Sequence, residues 1–218
     1  IQFPSKSRPD KFLDVFKRYQ LFAKDKHNIF INVSCDVHEE SMNCDYVEQE
    51  VNKYKNARIS YNHNSGKIEA VNAGFDDLEY DIILLASDDM IPEVVGYDKI
   101  IRDYMNCHFP DGDGILHFND GHHGEGLSTL SILGKKYYDR FGYIYHPEYK
   151  SLWCDVEYTR VAEKLEKKFY TNRIIIRHMH PFLHAHISSD DLYAVNQTFH
   201  HSDEAIFRKR EKNNFDLD

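Results

Sequence analysis

The 218-residue sequence has no CxxC pair, no excess of positive charge and no long apolar run. Its four cysteines (Cys35, Cys44, Cys107, Cys154) are scattered. They lack the spacing of a zinc knuckle or a disulfide framework, so a reducing, cytoplasmic location is expected. Lys and Arg total 27 against 36 Asp and Glu, a net charge of −9. That balance disfavours a nucleic-acid partner, because a phosphate backbone needs clustered basic side chains. It leaves room for a nucleotide held through a metal ion. No apolar stretch approaches the roughly 18 residues that cross a bilayer, so no transmembrane segment is expected. No segment has the layout of a signal peptide. GxxxxGK[ST] is absent, which excludes a P-loop. Internal repeats and low-complexity tracts are also missing. What remains is 41% hydrophobic and 14% aromatic, with 15 Tyr and 14 Phe. A chain of this length suits one domain with a sizeable core.

Hydrophobic periodicity divides the first hundred residues into alternating strands and helices. Phe12, Val15, Phe16, Tyr19 and Phe22 fall at helical intervals within residues 10–23, after Pro9. Residues 28–36 form a short β-prone run, 42–54 a second helix and 57–62 another strand. Residues 65–78 read as a helix opening at Ser65-Gly66, and "YDIILLASDD" as a strand covered on both faces. Residues 97–109 are helical again. This alternation predicts an α/β fold with a mixed, mainly parallel sheet flanked by helices. The second half is less regular. It contains the Gly-rich "NDGHHGEG" stretch, an amphipathic helix over 155–169 and the strand-like "RIIIRHMHP". The expected organisation is a single domain with two halves, residues 1–110 and 111–189, and a helical tail over 190–218.

Four places carry candidate chemistry. Asp88 and Asp89 end an apolar strand, where ligands of parallel sheets bind. An acidic pair there suits a hard divalent cation that keeps positions for phosphate oxygens, or else caps a turn. His178 and His180 share a face of their strand, and neutral imidazoles suit Mn²⁺ or Zn²⁺. Lys67 opens a helix, a position that favours anions. Asp155 and Glu157 follow the single tryptophan, Trp153. A carboxylate near an apolar ring has the setting of a general base, although Asp155 equally fits a helix cap and Glu157 a first helical turn.

Taken in order, "FPSKSRPDKF", "NVSCD", "HNSGKIEAVNAG", "YDIILLASDDM", "SLWCDVEYT" and "RHMHP" resemble a GT-A-fold glycosyltransferase of the inverting, family-2-like type. The resemblance runs from about Phe3 to Pro181. It implies a metal-dependent enzyme that moves a sugar from a nucleotide-diphosphate sugar to an acceptor hydroxyl, glycan or other. It assigns Ser5, Ser7, Arg8 and Asp36 to the nucleobase and Lys67 to the diphosphate. Ser87-Asp88-Asp89 matches the Asp-x-Asp motif, with Ser87 in place of the first aspartate. Asp89 then takes the metal, Mn²⁺ or Mg²⁺, and Asp88 approaches the ribose or the metal-bound water. His180 or His178 completes the metal shell. Asp155 deprotonates the acceptor, with Glu157 in reserve. The departure at Ser87 keeps a second reading open, a catalytically silent module that binds a nucleotide sugar or glycan. A sugar nucleotidyltransferase is a third reading, disfavoured because "FPSKSRPDKF" has no glycine.

Overall fold

A computed structural model of the chain describes residues 1–180 and 191–217. In chain order its elements are β1 (Gln2–Pro4), α1 (Pro9–Phe22), β2 (Ile31–Asp36), α2 (Asp45–Val51), β3 (Ala57–Asn62), α3 (Lys67–Asn72), β4 (Ile82–Leu84), β5 (Met90–Pro92) and α4 (Tyr97–His108). There follow β6 (Ile115–Phe118), β7 (Ile132–Gly134), α5 (Lys135–Phe141), α6 (Cys154–Lys164), β8 (Lys168–Thr171), β9 (Ile176–His178), α7 (Asp191–Thr198) and α8 (His200–Lys212). Pro181, which ends the histidine motif, and residues 182–189 of the expected second half lie outside the described residues.

β1, β2 and β3 pair in parallel. A parallel bridge from Gln2 to Leu85 joins β1 to the end of β4, and the Ala86 amide donates to the Gln2 carbonyl at 2.8 Å. β4 continues through antiparallel β7 to β6 and then to parallel β8. The order across the sheet is therefore β3-β2-β1-β4-β7-β6-β8, mixed and mainly parallel as expected.

Strand pleating explains the continuous apolar run at β4. Leu84 and Ala86 enter one hydrophobic cluster with Phe3, Phe12, Phe16 and Tyr97, while Ile83 and Leu85 enter another with Ile68, Tyr137, Tyr158 and Phe207. Successive residues face opposite sides of a sheet. A strand covered by helices on both sides must therefore be apolar at every position.

Two helices are shorter than the sequence pattern suggests. α3 stops at Asn72 rather than reaching Leu78. The buried Gln2 side chain donates to the carbonyls of Ala70, Val71 and Ala73, satisfying the end of the helix. Gly74 then turns the chain at φ +83°, where an added Cβ would lie 2.3 Å from Ser60 Oγ. α6 ends at Lys164 rather than Phe169. Glu166 adopts φ 57°, and Phe169 pairs with Leu116 in the sheet. Long-range strand pairing overrides local helix propensity there. Among the described residues no helix is long and apolar enough to cross a membrane.

Candidate active site

The parallel strands deliver the expected donor-binding residues to one edge. After β1 the chain turns at Ser7, in the left-handed region at φ 57°, and Arg8 precedes α1. The Ser5 amide donates to the Ser34 carbonyl at 3.0 Å, and the Ser5 hydroxyl faces Met42 sulfur at 3.7 Å. Asp36 ends β2 and accepts the His38 amide at 3.0 Å. Among the described residues no hydrogen bond joins Ser5, Ser7 or Asp36 to the acidic pair. Lys67 is exposed at the start of α3, and its ammonium donates to the Ser151 carbonyl at 3.3 Å. With six residues, α3 has too short a dipole to attract an anion by itself, so the charge on offer is that of Lys67.

Asp88 and Asp89, adjacent in sequence, have different partners. Asp88 is held by Arg8 Nη1 at 3.1 Å and Lys11 Nζ at 3.4 Å. Burial pushes its carboxyl above the usual range, and Asp89 adds to that, against the pull of Lys11 and Arg8. Asp89 is 8% exposed. It accepts the Ser87 hydroxyl and, at 2.9 Å, the Tyr193 hydroxyl from α7. Burial opposes its charge, but His178 and Ser87 outweigh it and hold the carboxyl well below its ordinary value. The residue that departs from the Asp-x-Asp pattern is therefore a hydrogen-bond donor to the aspartate that remains.

A second, two-stranded sheet explains how the histidines arrive. β5 follows the acidic pair and pairs with antiparallel β9, with Met90 opposite His178. The Met179 amide donates to the Asp89 carbonyl at 2.7 Å. His178 Nε2 lies 3.7 Å from Asp89 Oδ2, and its Nδ1 lies 3.9 Å from Asp120 Oδ2. These are ion-pair distances, longer than hydrogen bonds. Burial works against an imidazolium, but the two carboxylates push His178 up to about 9. His180 sits 5.5 Å from His178 and 4.8 Å from the Tyr193 ring, centroid to centroid. Burial pushes His180 down to about 4, so it is neutral at pH 7.

Asp120, Lys11 and Tyr193, none of them among the candidate residues above, complete this end of the sheet. Asp120 follows β6. It accepts the amides of His122 and His123 at 2.8 Å, His123 Nδ1 at 2.7 Å and the Thr129 hydroxyl at 2.8 Å. The strand-end rule that picked out Asp36 and Asp88 applies to "ILHFND" as well. The "GHHGEG" loop is thus anchored at its start by a buried carboxylate. Arg8 stacks over the Tyr193 ring at 4.3 Å, a contact with no local sequence signal, since Tyr193 arrives from α7.

Could these residues hold a cation? Two ligands on one ion, each about 2.1 Å from it, stand about 3–4 Å apart. The 3.7 Å between Asp89 and His178 Nε2 fits. Metal-bound imidazoles commonly place their other nitrogen against a carboxylate, as Asp120 does here. Asp89, His178 and His180 do not close into a three-ligand cage; Tyr193 packs on His180 and bonds Asp89. Among the described residues the group whose ligand atoms all lie within 4.8 Å of one another is His200, His201 and Glu204, at the start of α8.

The two candidate bases are sharply different. Glu157 is 4% exposed. It accepts Arg210 Nε at 2.8 Å and the Tyr149 hydroxyl at 2.7 Å, so its lone pairs serve the packing of α8. Asp155 is half-buried and accepts the Val156 amide at 2.9 Å. Among the described residues no cation pairs with it. α6 is tied to the carboxyl edge of β4: the Ser128 amide donates to Thr159 Oγ1 at 3.0 Å, and the Leu85 amide to the Ser131 carbonyl at 2.9 Å. A cavity of about 590 Å³ opens at the other edge of the sheet, lined by Phe30, Tyr80, Asp98 and Arg102. Asp98 there accepts the Lys24 and Asp25 amides and plays a structural part.

No protein-family model matches the chain, and no curated protein sequence does. Solved structures do match. TarS residues 1–349 from S. aureus superposes with a TM-score of 0.63 at 13% identity, covering 82% of this chain and 59% of that one. The same protein in complex with UDP-GlcNAc gives 0.62 and 14%, covering 88% and 62%. The mannosyltransferase PcManGT from Pyrobaculum calidifontis, in complex with GDP-Man and Mn²⁺, gives 0.63 and 8%, covering 81% and 55%. The chain thus spans 55% of the solved PcManGT chain, 59–62% of the 1–349 fragment of TarS and 36% of the longer TarS chain. Its fold is a GT-A-like glycosyltransferase fold.

Proposed function

We propose that the protein is a glycosyltransferase that moves a sugar, with inversion and with the help of a divalent cation, from a nucleotide-diphosphate sugar to an acceptor hydroxyl. The observation that carries this reading is the gathering of Asp89, His178 and His180 at the carboxyl edge of a GT-A-like sheet, with Asp155, which pairs with no cation among the described residues, on a helix tied to that edge. In this reading Ser5, Ser7, Arg8 and Asp36 surround the nucleoside, Asp88 faces the ribose and Lys67 meets the diphosphate.

Asp89 with His178 or His180 would hold Mn²⁺ or Mg²⁺. A cation bound there would neutralise the charge that develops on the diphosphate leaving group. Arg8 and Lys11 release Asp88 to meet the donor. Asp155 accepts the proton of the acceptor hydroxyl as it attacks, and direct displacement inverts the anomeric centre. Ser87 orients Asp89, a task that a first aspartate would perform only against like-charge repulsion.

Donor binding tests the metal assignment. UDP-GlcNAc and GDP-Man, the sugars named for the structural neighbours, serve as first probes in calorimetry with and without Mn²⁺. Wild-type affinity is expected to rise with Mn²⁺, and Asp89→Ala to abolish that dependence. Unchanged Mn²⁺ affinity in the variant would remove Asp89 from the site.

A further inference from the structure

Asp203 is a fully buried carboxylate on α8, with 0% exposure. Among the described residues no cation pairs with it. Its charge is met by three consecutive backbone amides: Lys150 at 3.1 Å, and Ser151 and Leu152 each at 2.8 Å. An ionised carboxylate tolerates burial only with such compensation. The loop held in this way is special for two reasons. The Ser151 carbonyl accepts the Lys67 ammonium at 3.3 Å. Immediately after it, Trp153 adopts the left-handed φ of 64° and α6 begins with Asp155 in its first turn. A bulky residue in that conformation is strained and persists only where its surroundings enforce it.

We propose that Asp203 is a positioning residue for the transfer step. By clamping residues 150–152 it fixes where Lys67 and Asp155 stand relative to each other, and so the distance between leaving group and acceptor. The proposal rests on the roles given above to Lys67 and Asp155. Asp203 touches neither donor nor acceptor; it acts through the loop. The tail helix thereby becomes part of the catalytic apparatus.

The test is a double-mutant cycle on kcat, read beside wild-type turnover. Asp203→Asn replaces one acceptor oxygen with an N–H₂ that opposes a backbone N–H. It is expected to lower kcat about 10–100-fold, the scale of a small misplacement of reacting groups, with donor affinity changed far less. In the Asp155→Asn background the same exchange is expected to cost little more, because the group it positions is already gone. Equal loss of kcat in both backgrounds, or no loss in the wild-type background, overturns the proposal. If the Asn variant does not fold, Asp203→Glu takes its place. It keeps charge and acceptors but displaces the loop, and the same non-additivity is expected. A wild-type protein without turnover contradicts the transfer reading itself, and the positioning role with it.

Discussion

Replacing Asp155 with Asn is expected to leave nucleotide-sugar binding intact and to cut turnover about 10²–10⁴-fold, the usual contribution of a general base. The substitution is mild structurally. Asp155 accepts the Val156 amide through one oxygen, and the Asn carbonyl keeps that bond. What is lost is the ability to take a proton. The choice of Asp155 over Glu157 follows from pairing: a base must have a free lone pair, and Glu157 has committed its own to Arg210 and Tyr149. Steady-state kinetics beside calorimetric donor titration checks the expectation. Wild-type kcat in Asp155→Asn would remove Asp155 from the reaction.

Arg210→Ala is expected to be the most damaging single change to stability. Arg210 and Glu157 are 6% and 5% exposed at their side chains and lie 2.8 Å apart. Arg210 also reaches Asp216 at 2.8 Å. Truncating one partner of a buried ion pair strands the other, at a cost of about 3–5 kcal/mol. For a domain of this size that lowers the midpoint by on the order of 10 °C. Thermal unfolding followed by circular dichroism reads this directly. A shift under about 2 °C would mean that Glu157 finds other compensation.

These two residues show where the sequence is legible. The apolar runs at β2 and β4 and the helical spacing of Phe12, Phe16 and Tyr19 identify the α/β alternation, because burial on two faces leaves a compositional mark. Strand ends single out Asp36, Asp88 and Asp89 as candidates, because ligands of parallel sheets bind there. The pairing of β5 with β9 is what sets His178 beside Asp89, and that register is not written in either segment. Neither is the arrival of Tyr193 at Asp89, 104 residues away, or the bond of Asp203 to Ser151, 52 residues away. Glu157 and Asp155 look alike in "CDVEY"; only the position of Arg210 in the folded chain separates them. Long-range contacts decide such roles, and local pattern carries no trace of them.

Turnover of a nucleotide sugar distinguishes an enzyme from a binding module at this site. The most direct measurement is the release of free nucleoside diphosphate from a panel of nucleotide-diphosphate sugars, in Mn²⁺, with and without hydroxyl acceptors. Release is expected from at least one donor, dependent on the cation and stimulated by acceptor. Saturable donor binding that raises thermal stability with no release under any of these conditions would contradict it, and would identify the domain as a silent nucleotide-sugar-binding module.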